Sequence, residues 1–247
     1  MNESKISTIK ERFRRVGDQI EEATLRSGRA PGSVQLVTVT KSQSVEVIRS
    51  AISAGATRLG ENYVEEAVAK IDVIKEPAIQ WHMIGHIQSR KTELVAQYFD
   101  MVHSLDSTKL ARRLENTCVK VGRIMPALLE VNVSGEESKF GFSAWDERLW
   151  PELEPEFGPI LAMPHLSILG LMTMPPFQDD PEKTRPYFQR MRRLQNFLAA
   201  RFLQASWTEL SMGTSTDFIP AVEEGATIVR VGRSILGLRP VEELYDI

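Results

Sequence analysis

The sequence predicts an α/β fold, a single (β/α)8 barrel of the TIM type with an extra N-terminal helix. Three observations lead there. Short β-prone runs alternate with stretches of helical periodicity about eight times, the pattern of a parallel sheet covered by helices. The length, 247 residues, suits eight such units. No Gly-x-Gly-x-x-Gly follows the first predicted strand, which counts against the alternative, an open doubly wound sheet that binds dinucleotides.

Each element has its own warrant. Ile6, Ile9, Phe13, Val16 and Ile20 recur three and four apart and predict a helix over 4–27, stopped by Gly28. A strand over 35–41 leads to a helix over 44–54, closed by Gly55. A strand over 57–61 leads to a helix through Val64, Ala67, Val68 and Ile71. The next strand, 78–85, precedes a helix around 94–99. A strand over 100–104 leads to a helix capped by Asp106 or Ser107, with Leu110, Leu114, Cys118 and Val121 as its buried face and Gly122 as its end. A strand over 125–133 runs into the loop 134–141. Residues 144–165 resist assignment, because Pro151, Pro155, Pro159 and Pro164 cut up any helix. A strand over 166–173 precedes a long helix opened by Pro181, with Tyr187, Met191, Leu194, Leu198 and Phe202 on one face. Strands over 206–212 and 227–232 flank a helix over 217–224, and a short helix starts at Ser234. No linker, repeat or low-complexity tract interrupts the chain, so 1–247 is expected to form one domain.

Composition excludes several classes. Charged residues make up 26% and the net charge is −3, which leaves no electrostatic footprint for nucleic acid. The one cysteine, Cys118, can form no disulfide within the chain and is expected to be buried and inert. His82 and His86 have the i, i+4 spacing of a helical metal pair, but the run 79–84 reads as a strand, so no metal site is expected. The segment 157–178 carries no Asp, Glu, Lys or Arg and has the length of a membrane span. Four prolines interrupt it, and a buried strand between loops explains it better. With no apolar signal core after Met1, a cytoplasmic protein without membrane contact is expected.

In such a barrel the chemistry sits at the C-terminal ends of the strands. Lys41 falls there, on the same face as Val37 and Val39 by the period of two. An ammonium beside buried valines is costly unless something neutralises or uses it. A lysine of depressed pKa is the usual Schiff-base nucleophile for carbonyl compounds and for pyridoxal phosphate. The plainer alternative is a strand-end lysine that snorkels to water. Phosphate sites in these barrels commonly form after strands seven and eight. Two loops qualify, Ser211-Met212-Gly213-Thr214-Ser215 and Gly232-Arg233-Ser234, although either alone is also an ordinary turn. Asn62, Gly85 and His86 lie at other strand ends. Arg230 shares an inward face with Ile228 and Gly232. It is either paired with Glu61 or Glu209, or aimed at a ligand. On a pyridine ring it would donate to the ring nitrogen and keep it unprotonated, which disfavours transaminase-type carbanion chemistry.

Seven ordered segments carry a resemblance. They are Val39-Thr40-Lys41, Gly60-Glu61-Asn62-Tyr63-Val64-Glu65-Glu66, the run from Trp81 to Gln88, Val131-Asn132-Val133-Ser134-Gly135-Glu136 with Lys139 and Gly141, Gly170-Leu171-Met172-Thr173, Leu210-Ser211-Met212-Gly213 with Ser215 and Asp217, and Val229-Arg230-Val231-Gly232. In this order, over about 35–240, the chain resembles the pyridoxal phosphate homeostasis proteins, also called proline synthetase co-transcribed homologues. The resemblance implies a barrel similar to the N-terminal domain of alanine racemase. It implies a Schiff base to Lys41, Arg230 at the pyridine nitrogen, and phosphate held by Ser211, Gly213 and the Gly232 loop. With Asn62, Arg233 and Ser234 these form the candidate cofactor-binding set.

The resemblance further implies a protein without firm catalytic activity, so no catalytic residue is assigned. Its expected role is to buffer pyridoxal phosphate or deliver it to pyridoxal phosphate-dependent apoenzymes. Two positions depart from the pattern. Arg233 stands where a threonine is usual, and Arg90 where an asparagine is usual. The stretch 144–165 is also longer than expected. The runner-up is an amino-acid racemase. Racemisation needs a second acid or base opposite the lysine, which the racemase takes from a further β domain. The chain is expected to lack that domain, since it ends at Ile247, and to be a monomer; Tyr63 or His86 could stand in for the missing group. A third reading, a cofactor-free barrel enzyme for a phosphorylated sugar, would use Glu61 as base.

Overall fold

A computed structural model describes residues 3–238. It opens with helix α1 (Glu3–Arg26), then strand β1 (Gln35–Val39), α2 (Val45–Ser53), β2 (Arg58–Glu61), α3 (Val64–Ile74) and β3 (Gln80–Met83). There follow α4 (Thr92–Tyr98), β4 (Met101–Leu105), α5 (Thr108–Val121), β5 (Met125–Asn132), the two-residue β6 (Phe142–Ser143) and α6 (Glu154–Leu161). The chain continues with β7 (Leu166–Met172), α7 (Arg185–Arg201), β8 (Glu209–Thr214), α8 (Phe218–Glu223), β9 (Ile228–Val231) and α9 (Arg233–Leu236).

All pairings are parallel. The order β4-β3-β2-β1-β9-β8-β7-β5 returns to β4 through a β4–β5 pairing, so eight strands close into a barrel and β6 hangs on β5. The seam between first and last strands is in register, with Val37 opposite Arg230 and Thr38 opposite Val231. This is the barrel the alternation predicts, with α1 added ahead of it.

Two apolar layers follow from strand periodicity. One large cluster lies between strands and helices and takes in Leu59, Phe99, Leu114, Phe157, Phe188 and Val229. A smaller one, Val37, Met101, Leu128, Met172 and Ile228, fills the interior. Two residues further along the chain from these five stand Val39, His103, Glu130, Met174 and Arg230. All but His103 line a cavity at the C-terminal mouth. The period of two thus carries the apolar plug, within one step, into a mixed layer that holds Glu130 and Arg230 beside Val39 and Met174.

Several expected boundaries shift. Strand β1 stops at Val39, and Lys41 lies on the turn beyond it. Val121 is exposed rather than buried, because α5 ends there at the left-handed Gly122. Of the two cap candidates, Ser107 is the one that accepts from the Leu110 N–H. The proline-cut stretch holds a 3-10 segment, Glu147–Leu153, and then α6 with Pro155 in its first turn. The long helix starts at Arg185, after a 3-10 turn at Pro181–Thr184. The expected domain limits, 1 and 247, lie outside the described residues. Among the described residues no helix is long and apolar enough to cross a membrane.

Candidate functional site

The mouth of the barrel holds a cavity of about 1080 Å³. Lys41 enters it from the turn after β1. The backbone on both sides of this lysine is anchored by charged side chains, buried on the Thr40 side and half-buried on the Ser42 side. Lys70, on the inward face of α3, donates to the Thr40 carbonyl (2.8 Å), to Glu61 Oε1 (2.8 Å) and to Glu66 Oε1 (2.5 Å). The Thr40 hydroxyl donates to Glu61 Oε1 at 2.6 Å, and the Ser42 N–H donates to Glu66 Oε1 at 2.6 Å. Ser42 sits in the left-handed region, φ 56°, uncommon for a residue with a Cβ.

On β9, the strand paired with β1, Arg230 is buried in the wall. Its Nη1 donates to Ser211 Oγ (2.5 Å), and its Nη2 donates to the Thr173 carbonyl (2.8 Å) and faces Met174 Sδ (2.9 Å). Burial pulls the guanidinium down to about 10. Neither Glu61 nor Glu209, the acidic partners considered from sequence, is bonded to it. Glu61 is engaged by Lys70 and Glu209 by Thr227. Behind Ser211, His103 Nδ1 lies 2.9 Å from the same hydroxyl, and His103 Nε2 lies 2.9 Å from His82 Nδ1. Burial pushes His82 down to about 4, and burial with the neighbouring His82 and Arg230 pushes His103 well below its usual value. Both rings are therefore neutral near pH 7.

Beside Arg230, the loops after β8 and β9 meet. The N–H groups of Gly232 (3.1 Å) and Ser234 (3.4 Å) both donate to Ser215 Oγ, and the Ser234 hydroxyl donates to the Ser215 carbonyl. Two amides aimed at one oxygen form the kind of donor pair that takes an oxyanion. Gly232 is also tight, since a Cβ there would stand 3.0 Å from the Val39 carbonyl oxygen.

Charge in the cavity is one-sided. Lys41, Lys91, Lys139, Arg230 and Arg233 line it, against a single carboxyl, Glu130, among the described residues. Burial, and then Asp106, push Glu130 up to about 7, so even that carboxyl is partly neutral. Lys91 is paired with Glu65. The donor set suits a small anion that brings its own phosphate or carboxylate.

Comparison with known proteins fits this geometry. Residues 20–240 match the family model described as alanine racemase, N-terminal domain. The pyridoxal phosphate homeostasis protein of Vibrio alginolyticus is 39% identical, over 95% of this chain and 99% of its own length. The chain belongs to the pyridoxal phosphate homeostasis protein family. The Escherichia coli K12 homeostasis protein is 32% identical, over 95% of this chain and 98% of its own. PipY of Synechococcus elongatus, solved with pyridoxal phosphate bound, is 34% identical and superposes with a TM-score of 0.79, over 93% of this chain and all of that one. Alanine racemase of Clostridium difficile shares the fold alone, at 14% identity and a TM-score of 0.68 over 95% of this chain and 58% of that one.

In this homeostasis-family chain the candidate residues divide in two. Lys41, Asn62, Arg230, Gly232 and Arg233 line the cavity. Ser211 is fully buried beneath Arg230, Gly213 is buried within β8, and Ser234 is joined to Ser215 beside the cavity. Gly213 has φ +93°, and a Cβ there would stand 2.6 Å from Ala221 Cβ, so its lack of a side chain lets α8 pack on β8. The sequence reading did not single out Glu130, Asn132 or Met174 as site residues, whereas Ser215 belongs to one of its two candidate phosphate loops. Glu130 had a signal, being two residues beyond the inward Leu128 and the one carboxylate in an apolar strand. The two spaced histidines have separate partners. His82 faces His103, whereas His86 meets Asp106 at 2.7 Å and stacks on Phe140.

Proposed function

We propose that this protein binds pyridoxal 5'-phosphate and keeps it available in the cell as a non-catalytic carrier, held as a Schiff base on Lys41. When bound, the cofactor would supply an aldehyde carbon able to condense with the Lys41 amine to a C=N bond with loss of water. The observation that carries this reading is the placement of Lys41, on the turn after β1, and the buried Arg230, on the neighbouring strand β9, in the lining of one cationic cavity. The chain's own residues then divide the work. The Gly232 and Ser234 amides, which here donate to Ser215 Oγ, would with Arg233 hold the phosphate; Arg230 would donate to the pyridine nitrogen; Asn62 would flank the ring. Ser211 and Gly213 support the wall behind them. A guanidinium at that nitrogen keeps it unprotonated and lowers the electron demand of the ring, which suits storage better than carbanion chemistry.

The same reading takes residues 1–247 as a single domain, the protein as a cytoplasmic monomer, and its partners as pyridoxal phosphate-dependent apoenzymes. A second reading, an amino-acid racemase, draws on His86, which lines the same cavity and is held by Asp106. One experiment tests both. The purified protein is mixed with the cofactor, its visible absorbance is recorded, and the adduct is reduced with borohydride and mapped. Trapping on Lys41 without enzyme-like exchange of the alanine α-proton supports the carrier. Trapping elsewhere, or none, overturns it; rapid exchange favours the racemase. Light scattering at micromolar concentration checks the monomer.

A further inference from the structure

Lys70 is an anomaly on α3. The residues that helix buries are Val64, Ala67, Lys70 and Ile74, so a lysine occupies a place in an otherwise apolar stripe. Its side chain is 8% exposed, and its three N–H groups have three acceptors: one carbonyl and two carboxylates. Glu61 is fully buried, and its second oxygen, Oε2, has no partner among the described residues. Burying the Glu61 carboxylate and the Lys70 ammonium is costly, and an apolar pair of equal volume would often serve stability as well or better. The cluster therefore calls for a role other than holding helix to sheet.

Its contacts name that role. Lys70 and Glu61 grip Thr40, the residue before Lys41, through its carbonyl and its hydroxyl. Glu66 grips Ser42, the residue after Lys41, through its N–H, at a left-handed φ of 56°. Glu66 and Lys70 are i, i+4 neighbours, so one helical face carries both halves of the grip. We propose that Lys70, Glu61 and Glu66 form a clamp that fixes the Thr40-Lys41-Ser42 turn, and so aims the Lys41 amine at a bound aldehyde. These are positioning residues. They act through the backbone and touch no ligand. The inference rests on the carrier reading, in which Lys41 forms the Schiff base.

The clamp predicts a split between two measurements. Binding of pyridoxine 5'-phosphate, which has ring and phosphate but an alcohol in place of the aldehyde, depends on Arg230 and the Gly232 loop and not on the aim of Lys41. Schiff-base formation depends on both. In Lys70→Met and Glu66→Ala the rate of Schiff-base formation, followed by absorbance and by borohydride trapping on Lys41, is expected to fall at least tenfold. The Kd for pyridoxine 5'-phosphate is expected to stay within about twofold of wild type. Glu66→Gln keeps an oxygen that can accept from the Ser42 N–H and is expected to recover most of the rate lost in Glu66→Ala. Glu66 is partly exposed, so its variants carry the test where circular dichroism shows Lys70→Met unfolded. Variants that form the Schiff base as fast as wild type, or that lose both measurements in parallel, overturn the clamp. A wild-type protein with no trapping on Lys41 overturns the carrier reading, and the clamp with it.

Discussion

The Arg230 guanidinium donates to the Ser211 hydroxyl across 2.5 Å inside the closed barrel. Since Arg230 can only donate, the hydroxyl hydrogen of Ser211 is left for His103 Nδ1, 2.9 Å away. His103 then carries its proton on Nε2 and donates to His82 Nδ1. One arginine thus sets the direction of a buried chain of neutral groups. Ser211→Ala removes the shared oxygen and leaves an arginine donor and a histidine nitrogen buried without it. Such losses cost about 1–3 kcal/mol each. The variant is expected to unfold at lower urea than wild type with an unchanged m-value. An unchanged midpoint would show that the chain contributes nothing.

The two buried histidines make stability depend on acid. Their pKa values in the folded protein lie below the unfolded value of 6.5, His82 at about 4. Below pH 6.5 the unfolded chain takes up protons that the folded one refuses. Stability is therefore full above 6.5 and falls as pH drops toward 4, by roughly 3 kcal/mol for His82. Urea midpoints between pH 7.5 and 4.5 measure the slope, and His82→Gln is expected to flatten it.

Glu130 acts with the opposite sign. Its folded pKa, about 7, lies above the unfolded 4.5. The protonated carboxyl suits the cavity, and stability is lost as pH rises from 4.5 through 7. Glu130→Gln removes the ionisation and is expected to stabilise the protein at pH 8.5 by on the order of 2 kcal/mol, while changing nothing at pH 4.5. Equal effects at both pH values would mean that packing, not charge, governs the site.

These relations mark what the sequence could tell. The barrel was legible because period-two runs alternate with helical stripes, and the segment order placed Lys41, Arg230 and the Gly232 loop at one mouth. Partners were not legible, because they join distant elements. Arg230 invited pairing with a carboxylate, yet its acceptors are a hydroxyl and a carbonyl from two other strand ends. Strand β1 read as reaching 41, but Lys70 and Glu66, a full βα unit later, bend the chain after Val39. Lys70 itself gave no signal, since a lysine on a helix is ordinarily solvated.

Gly213 separates a packing role from a binding one. The resemblance places it at the phosphate, whereas the geometry sets it against α8, with φ +93° and Phe218 Cα 2.9 Å from where a Cβ would stand. Gly213→Ala must push the helix away and hold an L-residue in a left-handed conformation. Overpacking alone costs about 1–3 kcal/mol, and the backbone strain adds to it. The expected outcome is a loss of at least about 2 kcal/mol in urea unfolding. The fraction that remains folded is expected to bind pyridoxine 5'-phosphate with near-wild-type Kd, because the Gly232 and Ser234 amides are untouched. A variant of normal stability whose Kd rises tenfold would put Gly213 at the phosphate after all, and would move the anion site from the α9 loop to the β8 backbone.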